Sequence, residues 1–452
     1  MAATGARHDG GTSAAPDGPV PLPPGRPGGV ASVWAPRPPA THPGVSPRHD
    51  ARPVTLKDQA AIVGVGATEY YKRGRSLPQT PFELAGKATL AALDDAGLSI
   101  TDVDGLALYG VGLGGDTSLF AQTLGIPEVR FTAMLTGGGG GAAGSVGLAA
   151  AAIHAGMATC VVSLMTLQQA ASRFGASYAP RGRPGAQYSA PPSPEGNFIQ
   201  PAGLMAPGQM FAVLAQRHMH RYGTRRDHFA EVVLSTRDNA RRRPTALMRD
   251  PLTLEDYFGA RLIAEPLCLY DFCLECDGAV AVVTVAADRA KDLRHPPVSI
   301  TASAHGGHGR WGQAITWMNM PDEYFASSGH RPVARRLYEM AGLGPADVDV
   351  ALLYDHFSPM VILQLEDYGF CEVGEGGPFV ADGTIRWPGG SLPVNTHGGN
   401  LSEAYIIGMT HVKEAVEQLR GQAVNQVEGA RVALVTGGPA SLPTSSLLLR
   451  AP

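Results

Sequence analysis

Two short stretches concentrate the side chains able to do chemistry. Residues 395–405 read Asn-Thr-His-Gly-Gly-Asn-Leu-Ser-Glu-Ala-Tyr. The Gly398-Gly399 pair there lets backbone approach a ligand closely, and the apolar-periodic segment from Tyr405 to Leu419 predicts a helix behind it. Residues 354–358 read Tyr-Asp-His-Phe-Ser and follow the apolar run Val350-Ala351-Leu352-Leu353. A run of that length reads as a buried parallel strand, so Tyr354, Asp355 and His356 fall at its end. In open α/β sheets that edge is where ligands bind.

Other reactive side chains make weaker patterns. Cys273 and Cys276 form one C-x-x-C, but no second pair at zinc-finger spacing answers it, so they read as core thiols and no metal site is expected. His218 and His220 lie two apart on a predicted helix, face different sides, and read as surface histidines rather than co-ligands. Five cysteines in 452 residues make no disulfide framework and point to a reducing compartment, the cytoplasm. With 36 basic against 40 acidic residues and a formal charge of -4, the chain has no basic field for nucleic acid.

The elements that must position these residues are those of an α/β protein. Residues 60–66 predict a strand, residues 81–96 a helix with a proline start and a glycine stop at Gly97, and residues 103–109 a second strand; together they predict a parallel unit with a right-handed crossover. This unit recurs. Ala96-Gly97-Leu98 and Asp102-Val103-Asp104 are matched by Ala341-Gly342-Leu343 and Asp347-Val348-Asp349 at a constant offset of 245 residues, which also carries Tyr109 onto Tyr354. Each half then has a glycine loop opening a helix and a strand after it. In the first half these are residues 137–141, the Ala-rich helix 142–155 and strand 159–164; in the second they are Gly398-Gly399, the helix to about Leu419, and strand 431–435. An internal duplication follows. The first of these helices is alanine or glycine nearly all round, so it is expected to pack on every side.

The domain reading is a disordered Pro/Gly/Ala-rich tail over residues 1–55, a first half over 56–296 and a second over 297–452. The polar, proline-rich loop 168–207 within the first half reads as a lid, binding loop or interface arm. Helices are expected over 210–222 and 226–241, and a strand over 277–283. No basic start precedes an apolar core at the N-terminus, so no secretory signal is expected. Residues 142–165 are interrupted by glycine, serine and histidine, and fit a buried helix running into a strand rather than a membrane span.

Two such halves, together with Asp277-Gly278-Ala279, Asn395 with Gly398-Gly399, and Leu434-Val435-Thr436-Gly437-Gly438 in that order, resemble the thiolase superfamily from about Ala60 to the C-terminus. Residues 354–357 and 402–405 resemble its lipid-transfer-protein-type branch, which includes steroid side-chain aldolases. The resemblance implies a duplicated αβαβα layered fold, two mixed sheets with the two glycine-opened helices packed between them. It also implies a tight homodimer, an acyl-CoA-type substrate with no bound cofactor, and a small partner protein bearing an OB-fold and a zinc ribbon.

The departures from that family carry the functional expectation. The position of its nucleophilic cysteine falls near Gly139, its catalytic histidine corresponds to Tyr405, and its second cysteine to about Thr436 or Gly437, so a thioester route lacks its nucleophile. Cys160, inside a strand, and Cys371 have no base beside them. By resemblance Tyr354 and Tyr405 share one pocket, with Asp355, His356 and His397 orienting them and backbone N–H groups near Gly139 and Gly438 forming an oxyanion hole. Retro-aldol cleavage of a β-hydroxy thioester suits two phenols, one taking the hydroxyl proton and one serving the enolate. The alternatives are a cysteine-independent acyltransferase and a non-catalytic scaffold for a partner subunit. Tyr109 reads as a packing residue.

Overall fold

The computed structural model describes residues 55–109, 117–135, 138–169, 199–204, 206–308, 324–440 and 443–452, so the expected tail and most of the 168–207 loop lie outside the described residues. The first strand, β1, spans Ala60–Ala67, and α1 spans Pro81–Ala96. Local chemistry fixes that helix. The Thr80 hydroxyl accepts the Glu83 N–H while the Glu83 carboxylate takes the Thr80 N–H, Pro81 sets the first turn, and Gly97 ends it at φ 71°. The half continues with β2 (Gly105–Tyr109), β3 (Phe131–Leu135), α2 (Gly141–His154), β4 (Cys160–Leu167), α3 (Pro207–Tyr222), α4 (Arg226–Arg242) and β5 (Cys276–Ala286). The second half contains β6 (Val298–Gly306), α5 (Arg331–Ala341), β7 (Val350–Leu352), α6 (Ser358–Asp367), α7 (Met409–Leu419), β8 (Val432–Gly437) and β9 (Thr444–Arg450).

The strands run in the order β7-β8-β9-β6-β1-β5-β4-β2-β3. The two half-sheets are joined where β1 meets β6, through Ala61 with Ser299 and Ile62 with Val298. Each half is mixed. β5 is antiparallel to both β1 and β4, and β9 to both β6 and β8, while β4/β2, β2/β3 and β8/β7 are parallel. The predicted parallel unit β1-α1-β2 is therefore not a pair of neighbours, because β5 and β4 lie between strands that still point the same way.

Alternating side chains sort the interior into three cores, which gives the five layers. Ala61, Val63, Leu106 and Val162 pack under α1, while Ala351, Leu353 and Leu434 pack against α5 and α6. The opposite faces of both half-sheets, including Ile62, Val161, Val280, Leu352 and Leu447, enclose α2 and α7 between them. All ten residues of α6 are buried, so the two central helices are not alone in their burial.

Duplication shows in the hydrogen bonds as well as the layers. Asp104 accepts the N–H groups of Thr159 and Cys160 at the head of β4, and Asp349 accepts those of Arg431 and Val432 at the head of β8. Gly97 and Gly342 end equivalent helices in the left-handed region.

Two expectations need correction. The helix predicted from Tyr405 begins at Met409; residues Gly399–Glu403 form a π-helical turn, and Ile407 and Gly408, at φ 50° and 83°, redirect the chain before the helix starts. Apolar periodicity runs through this segment because both the turn and the helix are buried. His218 is fully buried rather than superficial, with its ring nitrogens bonded to Thr224 and Glu366. Among the described residues no helix is long and apolar enough to cross a membrane.

Candidate active site

Tyr354 sits just past the end of β7, and its backbone is held by side chains. Its N–H donates to Thr436 Oγ1 at 2.9 Å, its carbonyl accepts from Gln364 Nε2 at 3.0 Å, and the Thr436 hydroxyl donates to Gln364 Oε1 at 2.6 Å. Asn395 continues the strand edge: its amide exchanges two 2.8 Å hydrogen bonds with the Leu353 backbone. Tyr405 belongs to neither helix nor strand. Its N–H donates to Cys276 Sγ at 3.1 Å, and the Cys276 thiol lies 3.4 Å from its carbonyl.

These supports bring the two phenol oxygens to 2.8 Å, with the rings edge to face. Tyr354 is 1% exposed and Tyr405 9%. Burial, reinforced by the Tyr405 hydroxyl, holds the Tyr354 phenol well above its usual range, so it is protonated at rest.

Gly139 lies in the 3-10 turn that leads into α2. A Cβ there would fall 2.3 Å from Tyr354 Cζ and 2.4 Å from its hydroxyl, so the phenol occupies the space into which a side chain at 139 would grow. The second glycine loop meets the first, since a Cβ on Gly437 would lie 3.0 Å from the Gly139 carbonyl. His330 Nε2 donates to the Gly437 carbonyl at 3.1 Å, and Gly438 follows at φ 70°. Thr436, one of the two positions matched to the family's second cysteine, has its hydroxyl engaged on both sides by backbone and Gln364.

Of the residues expected to orient the pair, Asp355 is the most engaged. Its carboxylate accepts the N–H groups of Asn400 and Leu401 and lies 3.1 Å from His411 Nε2. Gly398 and Gly399 make their close approach here: a Cβ on Gly399 would lie 2.0 Å from Asp355 Oδ2, and one on Gly398 2.6 Å from the Ala240 side chain. His356 stands edge-on to the Tyr354 ring at 5.1 Å, and burial pushes its imidazole down to about 3. His397 is one step further out, against His411, with no hydrogen-bond partner for either ring nitrogen among the described residues.

Sequence reasoning read Cys276 as a core thiol without its contact to Tyr405, and missed His411, the Thr436–Gln364 clamp and a buried cation. Arg243, at the end of α4, bonds Glu403, Glu414 at 2.7 Å and Glu417 at 2.7 Å, which ties the residue two before Tyr405 to α7. The periodicity of 405–419 hid His411 as one more helix position, and the C-x-x-C pattern around Cys276 gives no sign of its partner, 129 residues away. Burial pushes the Cys160 and Cys276 thiols up to about 12 and the Cys371 thiol up as well, so none is a ready thiolate. An open depression of about 590 Å³ between α3, residues 202–204 and residues 263–265 shares none of these residues.

The family described as Thiolase C-terminal domain-like matches residues 311–449. The chain is 42% identical over 407 residues to a 17-hydroxy-3-oxo-4-pregnene-20-carboxyl-CoA lyase of Mycobacterium tuberculosis, covering 87% of this chain and 100% of that one. It is 40% identical over 403 residues to a steroid side-chain-cleaving aldolase of Thermomonospora curvata, covering 88% and 99%. Among solved structures it resembles the Ltp2-ChsH2(DUF35) aldolase, with a TM-score of 0.79, 38% identity, and coverage of 88% of this chain and 99% of that one.

Proposed function

The chain belongs to the lipid-transfer-protein-type branch of the thiolase superfamily and is a carbon–carbon lyase of that fold; from this premise we propose that it cleaves a β-hydroxyacyl-CoA with a bulky, steroid-like acyl group at the Tyr354–Tyr405 pair. The observation that carries the reading is the 2.8 Å contact between two phenols set against Gly139, where a nucleophile's side chain has no room.

In the retro-aldol step the β-hydroxyl gives up its proton and its oxygen becomes a carbonyl. The Cα–Cβ bond breaks, its electron pair passes to the α carbon as the thioester enolate, and that carbon takes a proton. Burial penalises a lone phenolate, and a hydrogen-bonded pair avoids one by relay. Tyr405, the more exposed of the two, takes the substrate proton while passing its own to Tyr354, and Tyr354 in the same movement gives the proton it already carries to the α carbon, so both phenols end neutral. Backbone N–H groups at Gly139 and Gly438 stabilise the enolate oxygen. Burial holds His356 and His397 neutral, and they act by orientation.

The same reading includes a homodimer, a cytoplasmic location supported by five free cysteines, and no role for nucleic acid. It also includes a small partner bearing an OB-fold and a zinc ribbon, by extension from the two-component name of the solved aldolase. Mass analysis of products tests it. Incubated with 17-hydroxy-3-oxo-4-pregnene-20-carboxyl-CoA, with and without such a partner, the chain is expected to release a 17-ketone and a shortened acyl-CoA. Intact transfer of the acyl group would make it an acyltransferase, and no turnover under either condition a scaffold.

A further inference from the structure

The two phenols are aimed by different means. Tyr354 continues a strand, and its backbone bonds are shared among Thr436 and Gln364. Tyr405 follows a π-helical turn, precedes two left-handed residues, and lies in no regular ladder. An N–H and a carbonyl at a buried, irregular position must find partners or lose stability. For Tyr405 one atom meets both, because Cys276 Sγ accepts the N–H at 3.1 Å and the same thiol reaches the carbonyl at 3.4 Å.

Cys276 is itself held from several sides. Its N–H donates to Gln169 Oε1 at 2.8 Å, and it pairs with Lys72 along a short strand. The next residue, Asp277, accepts the Ser76 hydroxyl at 2.8 Å and the Gln169 N–H at 2.9 Å. After it comes Gly278, where a Cβ would lie 3.2 Å from the Ile406 side chain, so the head of β5 packs directly beneath residues 405–406.

Resting on the tyrosine reading above, we propose that Cys276 is the positioning residue of Tyr405, a two-way hydrogen-bonding clip that fixes the backbone from which the phenol reaches Tyr354. The role requires the thiol to keep its proton, and burial provides for that by pushing it up to about 12. Sulfur suits the place because its size and long bond to Cβ let one atom touch two backbone groups that a hydroxyl would reach less well. The C-x-x-C pattern thereby receives a use for its second cysteine that is neither metal binding nor redox chemistry.

Cys276→Val keeps most of the volume and removes both hydrogen bonds; Cys276→Ala is its companion should β5 reject the branched side chain. Each is to be made alone and with Tyr405→Phe, and kcat and KM read on 17-hydroxy-3-oxo-4-pregnene-20-carboxyl-CoA. A misplacement on the order of 1 Å costs up to about 100-fold, so kcat is expected to fall by that order while KM stays within about twofold. Cys276→Ser keeps a donor and an acceptor but, with a shorter bond to Cβ, reaches the two backbone groups less well, and is expected to recover only part of the loss. In the Tyr405→Phe background the cysteine substitutions should add nothing, a silence that general destabilisation would not produce. Unchanged kcat in the single variants, or a full further loss on top of Tyr405→Phe, overturns the clip alone. Full activity of Tyr405→Phe overturns the tyrosine reading and the clip together.

Discussion

Gly139 and Tyr354 exclude each other's side chains: a methyl group at 139 would sit 2.3 Å from the phenol's Cζ. The ring cannot simply retreat, since its backbone is clamped by Thr436 and Gln364, and Gly408 lies against its other edge, where a Cβ would come within 2.7 Å. Gly139→Ala is therefore expected to cost roughly 1–3 kcal/mol through overpacking, and to lower kcat by displacing the phenol. Gly139→Cys should suffer the same way and gain no thiolase activity. Thermal melting and turnover of both variants check this; a Gly139→Ala enzyme with normal kcat would mean that the ring moves freely.

Tyr354→Phe and Tyr405→Phe keep the rings and remove only the two hydroxyls that bond each other. Each is expected to lose about 100- to 10,000-fold in rate, with little change in melting temperature. In the proposed relay the two groups act on one proton-transfer sequence, so the double variant should be only slightly worse than the worse single one. A loss below about tenfold in each, with melting unchanged, would end the relay.

Stability should weaken on mild acidification. Burial pushes His356 down to about 3 and His330 to about 4, and holds His397 well below the imidazole range. In the unfolded chain each titrates near ~6.5. Above that pH both states are neutral and the histidines contribute nothing. Below it, and down to the folded values, the unfolded chain binds more protons, so stability falls as pH falls, by roughly 1.4 kcal/mol per pH unit for each histidine at full slope. Urea midpoints are expected to hold steady from about pH 8 to 7 and decline steadily from about 6 to 5; a flat profile would show that these imidazoles are hydrated.

Much of the fold was legible because its signals are local. The helix from Pro81 to Ala96 carries its cap, proline and glycine within a few residues, and the Gly97/Gly342 and Asp104/Asp349 matches mark turns that each half must make in the same way. The meeting of Tyr354 and Tyr405 followed from the family resemblance, and the contact between their hydroxyls agrees with it. What stayed hidden depends on distant contacts or on redirection of the backbone. The start of α7 turns on positive φ at Ile407 and Gly408, within a stretch whose apolar pattern is unbroken. Strand order was equally opaque, because β5, which separates β1 from β4, arrives about two hundred residues after β1 in sequence.

The narrow join between β1 and β6 has a mechanical consequence. Tyr354 and Tyr405 both come from the half beyond it, whereas Gly139 and Cys276, the residues that crowd one phenol and anchor the other, come from the half before it. A small slip along this seam would leave the contact between the two hydroxyls intact while loosening both outside restraints at once. The proposed reactive pair thus belongs to one half of the sheet, and the opposing half is the anvil against which it is set.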